Sequence, residues 1–252
     1  MQERQGIPPV EPPASHHAVD DAVAADTTET NRRVQLLSTE HWSLLATRSM
    51  SWNEAFSRTG TFLSTLSAGT VSLALAGPAM TFGTAFTLFA LVILSVILFL
   101  GVATYVRLVQ VNNEDLYWVY GMNRLRGAYA RMVPGIEHEF ITGSTVDAAG
   151  FARTFGAINV TTEVSMLHAF ITTPAIVGVI ASVVFGVIVG LVTAQLGQTE
   201  LVAVAAGAAG AAIGIALMLQ YGVREYRRFV ARMTTINDDH AGRDAERADA
   251  AR

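Results

Sequence analysis

Cysteine and lysine are both missing from the 252 residues, and only 7 are proline. Without cysteine there is no disulfide scaffold, no thiolate metal site and no cysteine nucleophile, and so little proline excludes a collagen-like repeat. Charge is scarce as well. Charged residues make up 15% of the chain against 51% hydrophobic, a balance too apolar for an ordinary soluble domain. The basic set is arginine alone, 17 of them, and the net charge is −4. No nucleic-acid partner is expected from it.

The missing charge is concentrated in three gaps. Between Arg58 and Arg107 lie 48 residues with no Asp, Glu, Lys or Arg. About 20 residues cross a bilayer, so this gap holds two spans and a turn, marked by Gly77, Pro78 and Gly83. A second gap runs over 164–199 and a third over 201–223, separated by Gly197, Gln198, Thr199 and Glu200. Spans are expected at roughly 60–80, 84–107, 168–194 and 200–222. The fold class is therefore an all-α polytopic membrane protein, with four transmembrane helices and cytoplasmic helical extensions.

Arginine placement orients the chain. Every arginine lies before the first span, between spans two and three, or after span four, and neither short loop carries one. The positive-inside rule puts both termini and the segment between the two hairpins in the cytoplasm. A cleavable signal peptide is not expected, because the first 33 residues carry six acids against three arginines and no apolar core.

This divides the chain into a disordered tail at 1–33, an amphipathic helix at 34–58, a first transmembrane hairpin at 59–107, a cytoplasmic stem and loop at 108–165, a second hairpin at 166–223, and a C-terminal helix and tail at 224–252. The end from residue 237 reads as disordered, like the beginning. In the 34–58 helix, Trp42, Leu45, Ser49, Trp52 and Phe56 recur at helical spacing, opposite Glu40, Thr47, Arg48, Asn53, Glu54 and Arg58. It either lies in the headgroup region or rises directly into the first span. The pattern after span two meets no breaker before Pro134-Gly135, which projects the helix about 40 Å beyond the membrane at 1.5 Å per residue. Its mixed charges, with Arg48 and Glu54, are expected to pair among themselves and hold a cytoplasmic bundle together. A loop at 135–150 then leads into a helix at 147–165.

The spans differ in composition. The second, crowded with Phe, Leu, Ile and Val all round, is expected to be the most lipid-exposed. Gly186 and Gly190 on the third, with Gly207, Gly210 and Gly214 on the fourth, form small-xxx-small rows that let backbones approach, within one hairpin or between subunits. The first span is the most polar. Its row Ser64, Ala68, Ser72, Ala76 at i, i+4 spacing either packs tightly or meets water as a pore lining. No intramembrane carboxylate or arginine exists, which argues against a proton-coupled transporter or voltage sensor. Pro174 predicts a kink near the start of span three, and His168 beside it is either a pH sensor or an ordinary hydrogen-bonding residue.

Arg58, Arg107, Arg224, Arg227 and Arg228 sit within a turn or two of a span end. There they either anchor the topology or clamp anionic lipid or another anion. No hydrolase, zincin or phosphate-loop motif occurs, and Glu137-His138-Glu139 diverge on a helix, so no catalytic residue, metal or cofactor is expected and the chain is not read as an enzyme.

The stretch from Leu44 to Arg58, LLATRSMSWNEAFSR, followed by a hydroxyl-rich span and by Tyr120-Gly121-Met122-Asn123-Arg124-Leu125-Arg126, resembles a group of bacterial four-span membrane proteins. That resemblance implies the topology and the bacterial inner membrane, and no activity follows from it. The arginine-only basic set also fits a GC-rich bacterial genome. The layout is similar to several oligomeric four-span channel families, though none of their selectivity-filter motifs is present. The expected function is an oligomeric membrane protein, either a channel or pore lined by the first span or a non-conducting scaffold that recruits a cytoplasmic partner. The bilayer, anionic lipids and further copies of the chain are its expected partners.

Overall fold

The computed structural model describes residues 16–147, 149–150, 153–154 and 172–250. They form four long helices, which we number α1 (His16–Ala79), α2 (Thr84–Met132), α3 (Thr173–Gln195) and α4 (Glu200–Ala250). A 3₁₀ turn at Ile136–Glu139 follows α2, and residues 149–150 and 153–154 are helical. The described chain is all-helical, and each of the four helices has a stretch long and apolar enough to cross a membrane. His168, and the expected 147–165 helix beyond residue 154, lie outside the described residues.

Each break has a local cause. At the first tip, Pro78 sits in the last turn of α1, and the reversal is made by Thr81 and Phe82 at φ 50° and 49°. These left-handed residues are not glycines, a conformation that costs roughly 1–2 kcal/mol each and is offset here by packing. The Phe82 ring folds back over Gly77, where no side chain would fit, and meets Phe86 edge-on at 5.3 Å. The second tip is simpler, with Gly197 at φ 77° closing α3 and Thr199 Oγ1 accepting the Val202 N–H at the start of α4.

Pro174 is not a kink. It lies in the first turn of α3, just after Thr172 at the N-cap position, where the missing proline N–H has no helical partner to lose. Residues 16–33 and 237–250, expected to be disordered, are also helical. Residues 23–36 are all exposed, so what extends α1 there is not burial but cheap propagation from a packed nucleus. The 34–58 segment rises straight into the first span as part of α1.

The expectation that α2 is the most lipid-exposed span is overturned. It is the central element, packed against α1 on one side and against α3 and α4 on the other. Ile97, Leu108 and Val111 are buried along it, and two glycines make the close approaches. Gly69 on α1 receives Ile97 and Ile93, while Gly101 on α2 lies between Phe62 of α1 and Ala181 of α3. Bulky branched side chains thus pack as knobs where the partner helix supplies the small residue.

Candidate functional site

The polar chemistry of the described chain gathers at the arginine-bearing end, where the extensions of α1 and α2 run side by side. The α1 face turned to α2 is Leu37, His41, Leu44, Arg48, Trp52, Ala55, Thr59 and Phe62, each at least partly buried and spaced three or four apart. The face expected from hydrophobicity is a different one. Trp42 is 68% exposed and Phe56 55%, and only Trp52 belongs to both sets. The helix is turned by what α2 presents to it, a carboxylate, so that a cation and an indole N–H face inward in place of apolar bulk.

That carboxylate is Asp115, buried at 6% exposure. Arg48 grips it with two donors, Nε at 2.5 Å from Oδ1 and Nη2 at 3.0 Å from Oδ2, and Trp52 Nε1 donates to Oδ1 at 2.8 Å. Such a bidentate clamp fixes both rotation and register of the two helices. Two turns nearer the spans, Arg107 of α2 reaches Glu54 of α1 and Glu114 of its own helix, both at 2.8 Å, and Arg58 holds the other Glu54 oxygen at 2.9 Å. Three arginines meet three carboxylates, so the seam is neutral.

Hydrogen bonds from Arg107 and then Arg58 hold the Glu54 carboxyl below its ordinary value of 4.5. His41, with its Nδ1 shut off from any partner, is pushed below 6.5 by burial and then by the nearby Arg126. The fold therefore prefers ionised Glu54 and neutral His41, while the separated chain takes up protons more readily. Seam stability is full above about 6.5 and falls as pH drops, first as His41 is forced to charge, then below about 4.5 as Glu54 is protonated. Limited proteolysis of the α1 extension should accelerate from neutral to mildly acidic pH, and His41→Phe should blunt that first limb. A flat profile would mean these groups do not hold the seam.

Past the clamp, the loop after α2 is pinned by Asn123, which is fully buried. Its Nδ2 donates to the Thr145 carbonyl at 3.2 Å, its Oδ1 lies 3.1 Å from Thr154 Oγ1, and Arg126 Nη1 donates to that same Oδ1 at 3.0 Å. The Gly143 N–H donates to Thr154 Oγ1, and Asp147 Oδ1 takes the Thr145 hydroxyl and the Gly150 N–H. Sequence reading missed this lock. Its only signal is an amide at position 123 amid the apolar Val119, Tyr120 and Met122. Glu137, His138 and Glu139 lie on the 3₁₀ turn, and among the described residues no three His, Asp or Glu side chains converge as metal ligands.

The five edge arginines divide. Arg58 and Arg107 are held by Glu54 and Glu114, Arg228 pairs with Glu225 three residues earlier, and Arg224 and Arg227 have no ion pair among the described residues. The five expected packing glycines lie together in the α3/α4 seam. A Cβ on Gly186 would come 2.5 Å from the Gly207 carbonyl oxygen, one on Gly190 3.2 Å from that of Ala203, and one on Gly214 2.9 Å from Ser182 Cβ. Gly210 lies over Val189 in the same seam. Tyr105 adds a polar tie across the helices, its hydroxyl donating to the Met218 carbonyl at 2.5 Å and its ring lying against Gly178. At the far end Gln195 Nε2 donates to Thr87 Oγ1 at 2.9 Å.

The first-span row sits apart from all of this. Ser64, Ala68 and Ser72 are exposed and Ala76 half-buried, while α1 packs on α2 through Thr59, Phe62, Leu66, Gly69 and Leu73. Along the span Thr61, Thr65, Thr70 and Ser72 each donate to the carbonyl four residues back. Each oxygen keeps lone pairs free to accept from a neighbour or to meet a cation. Comparison with protein-family models, curated proteins and solved structures finds no match to this chain, so its functional reading rests on this geometry.

Proposed function

We propose that the chain is a subunit of an oligomeric integral membrane protein of the bacterial inner membrane, with four spans, both termini and the α2 extension in the cytoplasm, and α1 lining a narrow hydroxyl-lined pore. The observation that carries this reading is the Ser64, Ala68, Ser72 face, which no other helix covers among the described residues. A row of small residues and hydroxyl oxygens is poorly suited to lipid contact alone and well suited to close packing around a shared axis. The neutral, clamped seam between the α1 and α2 extensions would then transmit movement of the cytoplasmic helices to α1, as an assembly and gating element.

The chain's lack of cysteine makes the test clean. Single cysteines at Ser64, Ser72 and, as a control, Leu88 on the exposed lipid-type surface of α2 are compared for reaction with a charged, water-soluble thiol reagent in sealed vesicles. Ser64→Cys and Ser72→Cys are expected to react at least tenfold faster than Leu88→Cys, because the thiolate that reacts forms only where water reaches. Equal, slow labelling at all three positions would remove the pore.

The second reading, a non-conducting scaffold that recruits a cytoplasmic partner, is favoured by a different observation. Trp42, Leu45, Met50 and Phe56 leave an uncovered apolar stripe on the α1 extension.

A further inference from the structure

A second feature lies on the other side of α2, where its extension faces that of α4. Two cavities open there in succession and share Asn113. The one nearer the spans, about 240 Å³, is walled by Val109, Ala175, Val179, Ile215, Met218 and Leu219, with Asn112 and Tyr226 at its rim. The one beyond, about 540 Å³, is lined by aromatic and ionisable groups, chiefly Tyr117, Trp118, Phe229, Arg228 and Arg232. Together they make one groove that runs from uncharged, mostly apolar walls to charged ones in the direction leading out of the spans.

Charge within the groove is uneven once its pairs are assigned. Glu114 on its wall is already held by Arg107, and Glu225 is paired with Arg228, which leaves Arg232 without an ion pair among the described residues. The Arg228–Glu225 pair is a surface pair three residues apart, worth little and easily exchanged. Both helices leave the spans in the same direction, and helical side chains lean toward the N-terminus, so Arg228 and Arg232 reach back toward the apolar end.

We infer that this groove binds one anionic phospholipid, its phosphate taken by Arg228 and Arg232 and its acyl chain laid along the Val109, Val179 and Met218 wall. A singly charged headgroup matches Arg232, and the order of apolar then polar walls matches a lipid standing in its own leaflet. A free phosphate would leave the apolar half empty. The inference rests on the membrane reading and not on a pore, and the site differs from a diffuse collar of edge arginines because Arg224 and Arg227 lie outside it.

The full chain is placed in nanodiscs of equal parts phosphatidylcholine and phosphatidylglycerol, and lipids retained after release are identified by native mass spectrometry. Incorporation alone reports insertion, so a failure of the membrane reading is seen separately. The wild-type chain is expected to keep phosphatidylglycerol in preference to phosphatidylcholine. Arg228→Gln with Arg232→Gln should lower that retention about tenfold, the worth of one hydrogen bond to a charged group. Arg224→Gln with Arg227→Gln should leave it within about twofold, a bound set by ordinary surface electrostatics. These are exposed surface changes, and unchanged far-UV circular dichroism checks that the helices persist. No headgroup preference in the wild type, or equal losses from the two arginine pairs, overturns the site.

Discussion

Asp115→Ala should unfasten the α1 and α2 extensions while leaving the spans in place. Removing one member of a buried pair costs about 3–5 kcal/mol, because the partner keeps its desolvation and loses its attraction. Arg48 retains 30% side-chain exposure and recovers some hydration, which places the effect near the lower bound, about 3 kcal/mol. Trp52 Nε1 loses its acceptor as well. In hydrogen exchange, about 3 kcal/mol is a fall of about two orders of magnitude in protection. That fall should be confined to residues 34–58 and 108–132, since the clamp lies outside the charge-free stretches. Loss spread evenly over all four helices would mean that the seam and spans unfold as one unit, and no loss would mean that the clamp holds nothing.

The double replacement Arg48→Met with Asp115→Leu separates the two parts of that cost. It removes both charges, so the desolvation penalty disappears with the attraction, and apolar substitutes in such sites are often neutral. Trp52 still lacks an acceptor, which leaves a cost of about 1–2 kcal/mol. Protection in the double variant should therefore lie between the wild type and Asp115→Ala. If it falls below Asp115→Ala, the clamp acts by setting helix register, which apolar side chains do not specify.

How much of this was legible in the sequence depends on the kind of signal. Charge-free gaps announced the four long apolar helices because only a few residue types are tolerated in such stretches, and the run without a breaker to Pro134 announced the α2 extension. Pairing among Arg48, Glu54, Glu114, Asp115, Arg124 and Arg126 was legible only in part: Arg48 meets Asp115, Glu54 and Glu114 are held instead by the edge residues Arg58 and Arg107, and Arg124 and Arg126 have no ion pair among the described residues. Hydrophobic periodicity failed on the α1 extension, where Trp42, Leu45 and Phe56 lie outside and Arg48 inside. Periodicity assumes that apolar means inward, and a buried carboxylate on the facing helix reverses that locally. The same assumption misjudged α2, which buries one side through Ile93 and Ile97 packed on Gly69 of α1 while Leu88, Val92 and Phe99 on its other side stay exposed. The Asn123 lock left only a lone amide amid apolar neighbours as its signal, and the groove at Trp118 left none, since it is assembled from α2 and α4, about a hundred residues apart.

Gly186→Leu carries the other large expected effect, and it decides what the glycine rows are for. Two terms compete at this position. Any residue with a side chain gains helix propensity over glycine, up to about 1 kcal/mol for alanine. Against it stands the seam, where even the first side-chain carbon would lie 2.5 Å from the Gly207 carbonyl oxygen and 2.8 Å from Ala211 Cβ. A backbone carbonyl inside a helix does not give way as a flexible side chain does, so sterics win already for Gly186→Ala, at a net cost of about 1–2 kcal/mol. Leucine adds a branched side chain to space filled by α4, and the hairpin must open along α3 and α4 to admit it, at more than about 3 kcal/mol. Thermal unfolding of the purified protein should then shift down steeply for Gly186→Leu and modestly for Gly186→Ala, with the subunit number by native mass spectrometry unchanged in the alanine variant. A leucine variant that keeps its unfolding temperature and merely falls apart into single chains would assign the row to contacts between subunits. Because Gly207, Gly210 and Gly214 face α3 within one chain, the glycine rows already serve the packing of α3 on α4.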